Sequence, residues 1–97
     1  MNVVLLAEAK TDFLDGITWF ESISPHLGDQ FEFEFYSCIN RISDNPEHFA
    51  TNELGFRACR LKRFTAVLHF RIDDEAVVIV RLLVNGREDR SLGAMAN

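Results

Sequence analysis

The spacing of apolar positions changes three times along this chain, and each change marks a different element. Val3 to Ala7 is apolar on consecutive positions, the mark of a short buried strand. From about Glu8 the period becomes helical: Ala9, Phe13, Ile17 and Phe20 recur at three- and four-residue spacing, with Asp12, Asp15 and Glu21 on the other side and Trp19 and Ile23 widening the apolar face. Pro25 disfavours the α conformation at Ser24, so this helix is expected to stop there. A second stripe of Phe31, Phe35, Cys38, Ile39 and Ile42 predicts a helix from Gly28 or Asp29 to Ser43, closed by Asp44-Asn45-Pro46. About four residues would separate the two helices, which makes them antiparallel neighbours.

After a polar loop the period becomes two. Leu54 to Lys62 reads as a strand with blurred alternation. The stretch "FTAVLHFRI" alternates cleanly, with Phe64, Ala66, Leu68, Phe70 and Ile72 on one face and Thr65, Val67, His69 and Arg71 on the other. Asp73-Asp74-Glu75 makes a charged turn. Val77 to Val84 follows, apolar on both faces except at Arg81, as an interior strand would be. Asn85-Gly86 is a tight-turn signal, but too little chain remains for another alternating strand, so it is read as a strand-ending turn that presents Arg87. The order β-α-α-β-β-β implies an α+β domain over 1–97, a helical hairpin packed on a mostly antiparallel sheet.

Composition narrows the function. At 97 residues and 47% hydrophobic, with nine Phe, the chain has enough apolar material for one core. Net charge is −5, unevenly spread. Through Phe56 there are two basic and ten acidic residues; from Arg57 onward there are eight basic and five acidic. Broad phosphate binding rests on an overall basic surface, so a local arginine face fits this chain better than a nucleic-acid-coating shell. Cys38 and Cys59 are read as reduced thiols of a cytoplasmic protein, with Cys38 in the core. The apolar start is too short for a signal-peptide core, and no span has membrane length.

Chemistry-bearing residues are few. His69 lies mid-strand and reads as a surface histidine rather than a base. His26 and His48 sit in loops without partners at metal-ligand spacing, so no metal site and no cofactor are expected. There is no Gly-rich phosphate loop and no nucleophile constellation. Arg57, Arg60 and Arg81 are candidates for an anion-recognition cluster, or equally for solvated charges that offset the acidic helices. Phe20 is assigned to the core and Trp19 to an interface. The acidic positions Asp12, Asp15, Glu32 and Glu34 read as a solvated face.

In its element order and several short motifs the chain resembles the RelE/ParE family of toxins from bacterial type II toxin-antitoxin modules, sometimes labelled plasmid-stabilisation proteins. The likeness runs from about Ala9 to Asp89. It rests on Ala9-x-x-Asp12-Phe13, Trp19-Phe20-Glu21, Gly28 with Phe31, Ile42-x-x-Asn45-Pro46-x-x-Phe49, Gly55-Phe56-Arg57, Arg63-Phe64, Val67-Leu68-His69-Phe70, and Val78-Ile79-Val80 followed by Gly86-Arg87. The resemblance implies one of two activities. RelE-like members cleave messenger RNA on the ribosome, which takes a base for the ribose 2′-hydroxyl, cations for the developing phosphate charge and an acid for the leaving oxygen. ParE-like members poison DNA gyrase. Both are held inactive by an antitoxin whose C-terminal segment wraps the toxin.

Many relatives end the last strand in His-Gly-Arg-Arg-Asp, whereas "VNGRED" here places Val84 or Asn85 at the histidine position, and neither accepts a proton near neutral pH. The resemblance therefore implies a ParE-like gyrase inhibitor without enzymatic activity of its own, and without sequence-specific nucleic-acid binding or membrane association. It is expected to act in a hetero-oligomer with a ParD-like antitoxin. The implied antitoxin-binding residues are Trp19, Arg57, Arg60, Arg71, Arg81 and Arg87. The alternatives are a ribosome-dependent endoribonuclease that uses Arg57, Arg60 and Arg81 as phosphate clamps, and a non-toxic descendant that only binds its antitoxin.

Overall fold

A computed structural model describes residues 1–84; the Asn85-Gly86 turn and Arg87 lie outside the described residues. The chain runs β1 (Asn2–Leu5), α1 (Ala7–Ile23), α2 (Pro25–Asp44), a short 3-10 turn (Pro46–His48), β2 (Arg57–Arg60), β3 (Ala66–Asp73) and β4 (Ala76–Val84). The expected α+β order is borne out, and the strands lie in the order β1-β4-β3-β2. β4 is thus interior, as its two apolar faces suggested. It pairs in parallel with β1 and antiparallel with β3, and β3 pairs antiparallel with β2.

Helix α2 starts three to four residues before the expected Gly28 or Asp29. Pro25 ends α1 and also opens α2, because its fixed φ suits a first helical turn and its missing N–H is not needed there. Ser24, in extended conformation, alone joins the two helices. The antiparallel arrangement is visible in the contacts: Phe13 stacks on Phe35 with ring centroids 4.0 Å apart, and Gly16 faces the ring of Phe31.

The expected first strand of the meander, Leu54 to Lys62, shrinks to Arg57–Arg60 for a local reason. The Asn52 side-chain carbonyl accepts hydrogen bonds from the Leu54 and Phe56 N–H groups, both at 2.9 Å, and Gly55 adopts φ +86°. Backbone groups satisfied inside a turn are not available to a ladder. Likewise Arg63, at φ +70°, turns the chain so that β3 begins at Ala66 rather than Phe64.

The core lies between the helical hairpin and one face of the sheet. Phe31, Phe35, Cys38 and Ile42 of α2 meet Cys59, Leu68, Phe70, Ile79 and Leu82, so the expected α2 stripe is borne out. Phe20 packs at the border of this core, its ring 4.9 Å from that of Phe31 and 4.8 Å from that of Phe64. The expected α1 face needs two corrections. Ile23 and Trp19 do not widen the buried stripe but are exposed, whereas Asp12, assigned to the solvated side, is buried. Glu34, also assigned to the solvated face, is buried too. No helix of the described chain is long and apolar enough to cross a membrane.

Candidate functional site

β1 stops at Leu5, and its last ladder contact is the Leu6 N–H donating to the Ile79 carbonyl at 3.0 Å. Beyond Ile79, β4 therefore has no parallel neighbour among the described residues. Helix α1 supplies one group at that edge. The Asp12 carboxylate accepts the Leu82 N–H at 2.9 Å, a backbone donor that a longer β1 would have taken. The same carboxylate receives Arg81 in a fork, Nε to Oδ2 at 2.7 Å and Nη2 to Oδ1 at 2.9 Å. A register shift between His69 and Phe70 leaves Val80 without an opposite residue, and Arg81 follows that irregularity. The guanidinium is held above the usual arginine value first because Asp12 accepts its hydrogen bonds, with the negative charges of Asp12 and Glu8 adding to this against the cost of partial burial.

The three arginines considered as a clamp are not brought into one cluster. Arg81 is committed to Asp12. Arg57 donates through Nη1 to the backbone carbonyls of Glu47 at 3.4 Å and, more closely, of Phe49, which pins the loop before β2. Arg60 is exposed and pairs with Val67 across the ladder, three residues along β2 from Arg57 and so on the opposite face. Arg71 stands 3.9 Å from Asp73, an exposed pair of little energetic weight. His69 is half-buried and lies opposite Arg81 in the β3-β4 ladder. Val84, one of the two positions where the resemblance would place a histidine, is buried in the core with residues of the helices.

The helical hairpin exposes Trp19, which the sequence assigned to an interface, and further apolar side chains that it did not single out. Trp19 is 56% exposed and Phe33 72%, while Leu14, Ile23 and Tyr36 are also exposed. Helical period places Trp19 and Ile23 on the stripe that begins with Asp12, the flank of α1 nearest β4. Tyr36 leans edge-on against Phe13 and Phe35, which leaves its outer edge uncovered. Phe33 sits beside Asp29, Gln30, Glu34 and Arg63 in a shallow depression. The signal for Phe33 was present in the sequence: it falls between the core positions Phe31 and Phe35, where a helix turns outward.

Two thiols meet inside the core. Cys38 of α2 and Cys59 of β2 are both free and buried, with sulfurs 3.2 Å apart. Arg41, one turn along α2 from Cys38, donates through Nη2 to the Cys38 sulfur at 3.1 Å and to the Arg60 carbonyl at 3.1 Å. The Cys38 thiol also lies 3.2 Å from that carbonyl. Cys59 is held below the free-thiol range, first because Cys38 hydrogen-bonds to its sulfur and then through the nearby Arg41 charge, against the cost of burial. Cys38 is pushed well above that range by the hydrogen bond with Cys59, by burial and by the negative charge an ionised Cys59 would carry. Among the described residues, no group of three histidine, cysteine or acidic side chains converges to hold a metal ion.

No protein-family model matches this sequence, and no curated protein does. The fold, by contrast, is shared with a solved structure described as the chromosomal ParDE TA system from P. aeruginosa. The superposition has a TM-score of 0.76 at 17% identity and covers 87% of this chain and 95% of that one, so the chain has the fold of a component of that structure.

Proposed function

We propose that this protein is the toxin component of a type II toxin-antitoxin module, of the ParE-like kind. It is a non-enzymatic inhibitor of DNA gyrase, neutralised in the cytoplasm by a cognate ParD-like antitoxin. The single observation that carries this reading is the shared fold with the structure described as a ParDE system, over most of both chains. The disposition of the arginines supports the gyrase branch. A ribonuclease of this size needs free cations around the scissile phosphate, and here Arg81 is held by a buried carboxylate and Arg57 by backbone carbonyls. The exposed apolar side chains of the hairpin, Trp19 and Phe33 foremost, suit an amphipathic antitoxin segment. Arg60 and Arg71 offer charge at a distance from that surface for the acidic residues such a segment carries.

The deciding experiment is a gyrase supercoiling and cleavage assay with purified protein, with and without added ParD-like antitoxin. Inhibition or linearised DNA that the antitoxin reverses supports the reading. Folded protein without effect on gyrase rejects it, and an in-vitro translation assay then tests the ribosome-directed alternative.

A further inference from the structure

We propose that Cys38 and Cys59 form a peroxide-sensitive dithiol site, in which a hydroperoxide converts the buried pair to a disulfide that staples α2 to β2. The inference does not rest on the toxin reading. Its basis is geometric. The two sulfurs are 3.2 Å apart, closer than ordinary van der Waals contact between sulfurs, and they belong to elements that pack face to face in the core. A disulfide needs the sulfurs to approach by a little over an ångström, which side-chain rotation supplies when the thiols already point at each other. The pair also has a cation in place, since Arg41 donates to the Cys38 sulfur. Arg41 in turn lines a surface cleft with Asp44, Asn45, His48, Phe49 and Ala50, so the group that touches the thiols also borders solvent. A small peroxide can approach along that cleft when the arginine side chain swings aside.

Arg41 donates to the Cys38 sulfur and its charge also favours a Cys59 thiolate, so either sulfur can attack first with the other resolving. With Cys59 first, its thiolate attacks one oxygen of the hydroperoxide. An S–O bond forms, the O–O bond breaks, and the departing alkoxide or hydroxide leaves as alcohol or water after taking a proton. The Cys38 sulfur then attacks the Cys59 sulfenic acid. The S–S bond forms as the S–O bond breaks, and the hydroxide leaves as water with the Cys38 proton. Two electrons pass from the thiols to the peroxide, and a dithiol reductant returns them by exchange. Transient disulfides of this kind are compatible with a reducing compartment, whereas structural ones are not.

The test is intact-mass and peptide analysis of the full protein treated with hydrogen peroxide, followed by unfolding and alkylation. The expected product lacks two hydrogens, yields a Cys38–Cys59 cross-linked peptide and reverts with dithiothreitol. Its thermal midpoint is higher than that of the reduced form by more than about 5 °C, because a cross-link restricts the unfolded chain. In Cys38→Ser and in Cys59→Ser the remaining cysteine has no resolving partner and accumulates sulfenic acid that dimedone traps. The proposal is overturned if wild-type protein keeps both thiols alkylatable, gains oxygen without the internal cross-link, or cross-links only between chains. The wild-type mass result stands even if a serine variant fails to fold.

Discussion

Asp12 of α1 and Arg81 of β4, sixty-nine residues apart in the chain, form a two-point ion pair at the place where β4 loses its parallel neighbour. One carboxylate thereby performs two tasks, holding the guanidinium and satisfying the Leu82 N–H. The arrangement locks the helical hairpin to the sheet at a fixed register. It also explains how an acidic residue is tolerated at 5% exposure.

Removing one half of this pair strands the other. Asp12→Ala is expected to destabilise the protein by about 3 kcal/mol, since it leaves a largely buried guanidinium and a backbone donor unpaired. Asp12→Asn, which keeps an acceptor for Leu82, should cost less. Urea denaturation of these variants, of Arg81→Met and of the Asp12→Ala/Arg81→Met double variant measures the coupling. A double variant as destabilised as the sum of the single changes would show that the two residues do not act together.

Gly16 of α1 lies close against α2. A Cβ there would meet the Phe31 ring at 2.7 Å, and that ring is fully buried among Phe13, Phe20 and Phe64. Gly16→Ala gains about 1 kcal/mol of helix propensity but forces an overpacked contact that typically costs about 1–3 kcal/mol. A lower thermal midpoint is expected, partly restored by adding Phe31→Leu; a higher midpoint in Gly16→Ala alone would contradict the packing account.

Exposure separates Trp19 and Phe33 from the core residues of the hairpin. Trp19→Ala and Phe33→Ala should leave the thermal midpoint within a few degrees of wild type, because neither side chain is buried. If Trp19 anchors the antitoxin, its truncation costs about 2 kcal/mol or more of binding, roughly thirtyfold in affinity. Titration calorimetry with a ParD-like antitoxin reads this directly, and unchanged affinity in both variants would move the interface elsewhere.

Arg57 and Arg60 should behave differently despite lying on one short strand. Arg57→Ala releases the Glu47 and Phe49 carbonyls, so amide exchange is expected to quicken in the segment before β2. Arg60→Ala should leave exchange and stability unchanged. Under the gyrase reading it also leaves translation untouched; loss of a translation-dependent cleavage activity in Arg60→Ala would support the nuclease alternative instead.

The thiol pair has a pH signature of its own. Cys59 ionises below the ordinary thiol value of 9.0 and Cys38 above it. A lowered folded value favours the fold above 9.0, a contribution lost as pH falls through the Cys59 folded value. A raised one favours the fold below 9.0, a contribution lost as pH climbs toward the Cys38 folded value. Thiolate absorbance of the folded, reduced protein should therefore show one ionisation before 9.0 and none of the second around it, whereas the unfolded chain titrates both together. Two coincident ionisations in the folded protein would rule out the coupling.

Periodicity made the elements legible. Phe31, Phe35, Cys38 and Ile42 at helical spacing, and Ala66, Leu68 and Phe70 at alternate positions, report directly on which face is buried, because burial of apolar area dominates the energetics of each element. Boundaries were less legible where one residue serves two purposes. Pro25 both stops and starts a helix, and Asn52 draws ladder hydrogen bonds into a turn.

By itself, then, the amino-acid sequence determined the α+β order, the interior position of β4, the α2 core stripe and the likeness to RelE/ParE toxins. Tertiary structure alone decided the fate of the polar and reactive groups. Whether Asp12 faces solvent or Arg81, whether Arg57 is free or tied to backbone, and whether Cys38 meets Cys59 all depend on contacts between residues far apart in the chain. Hydrophobic burial is a property of one side chain and its near neighbours, so local spacing reveals it. Pairing is a property of two groups brought together by the fold, and spacing along one element carries no record of it.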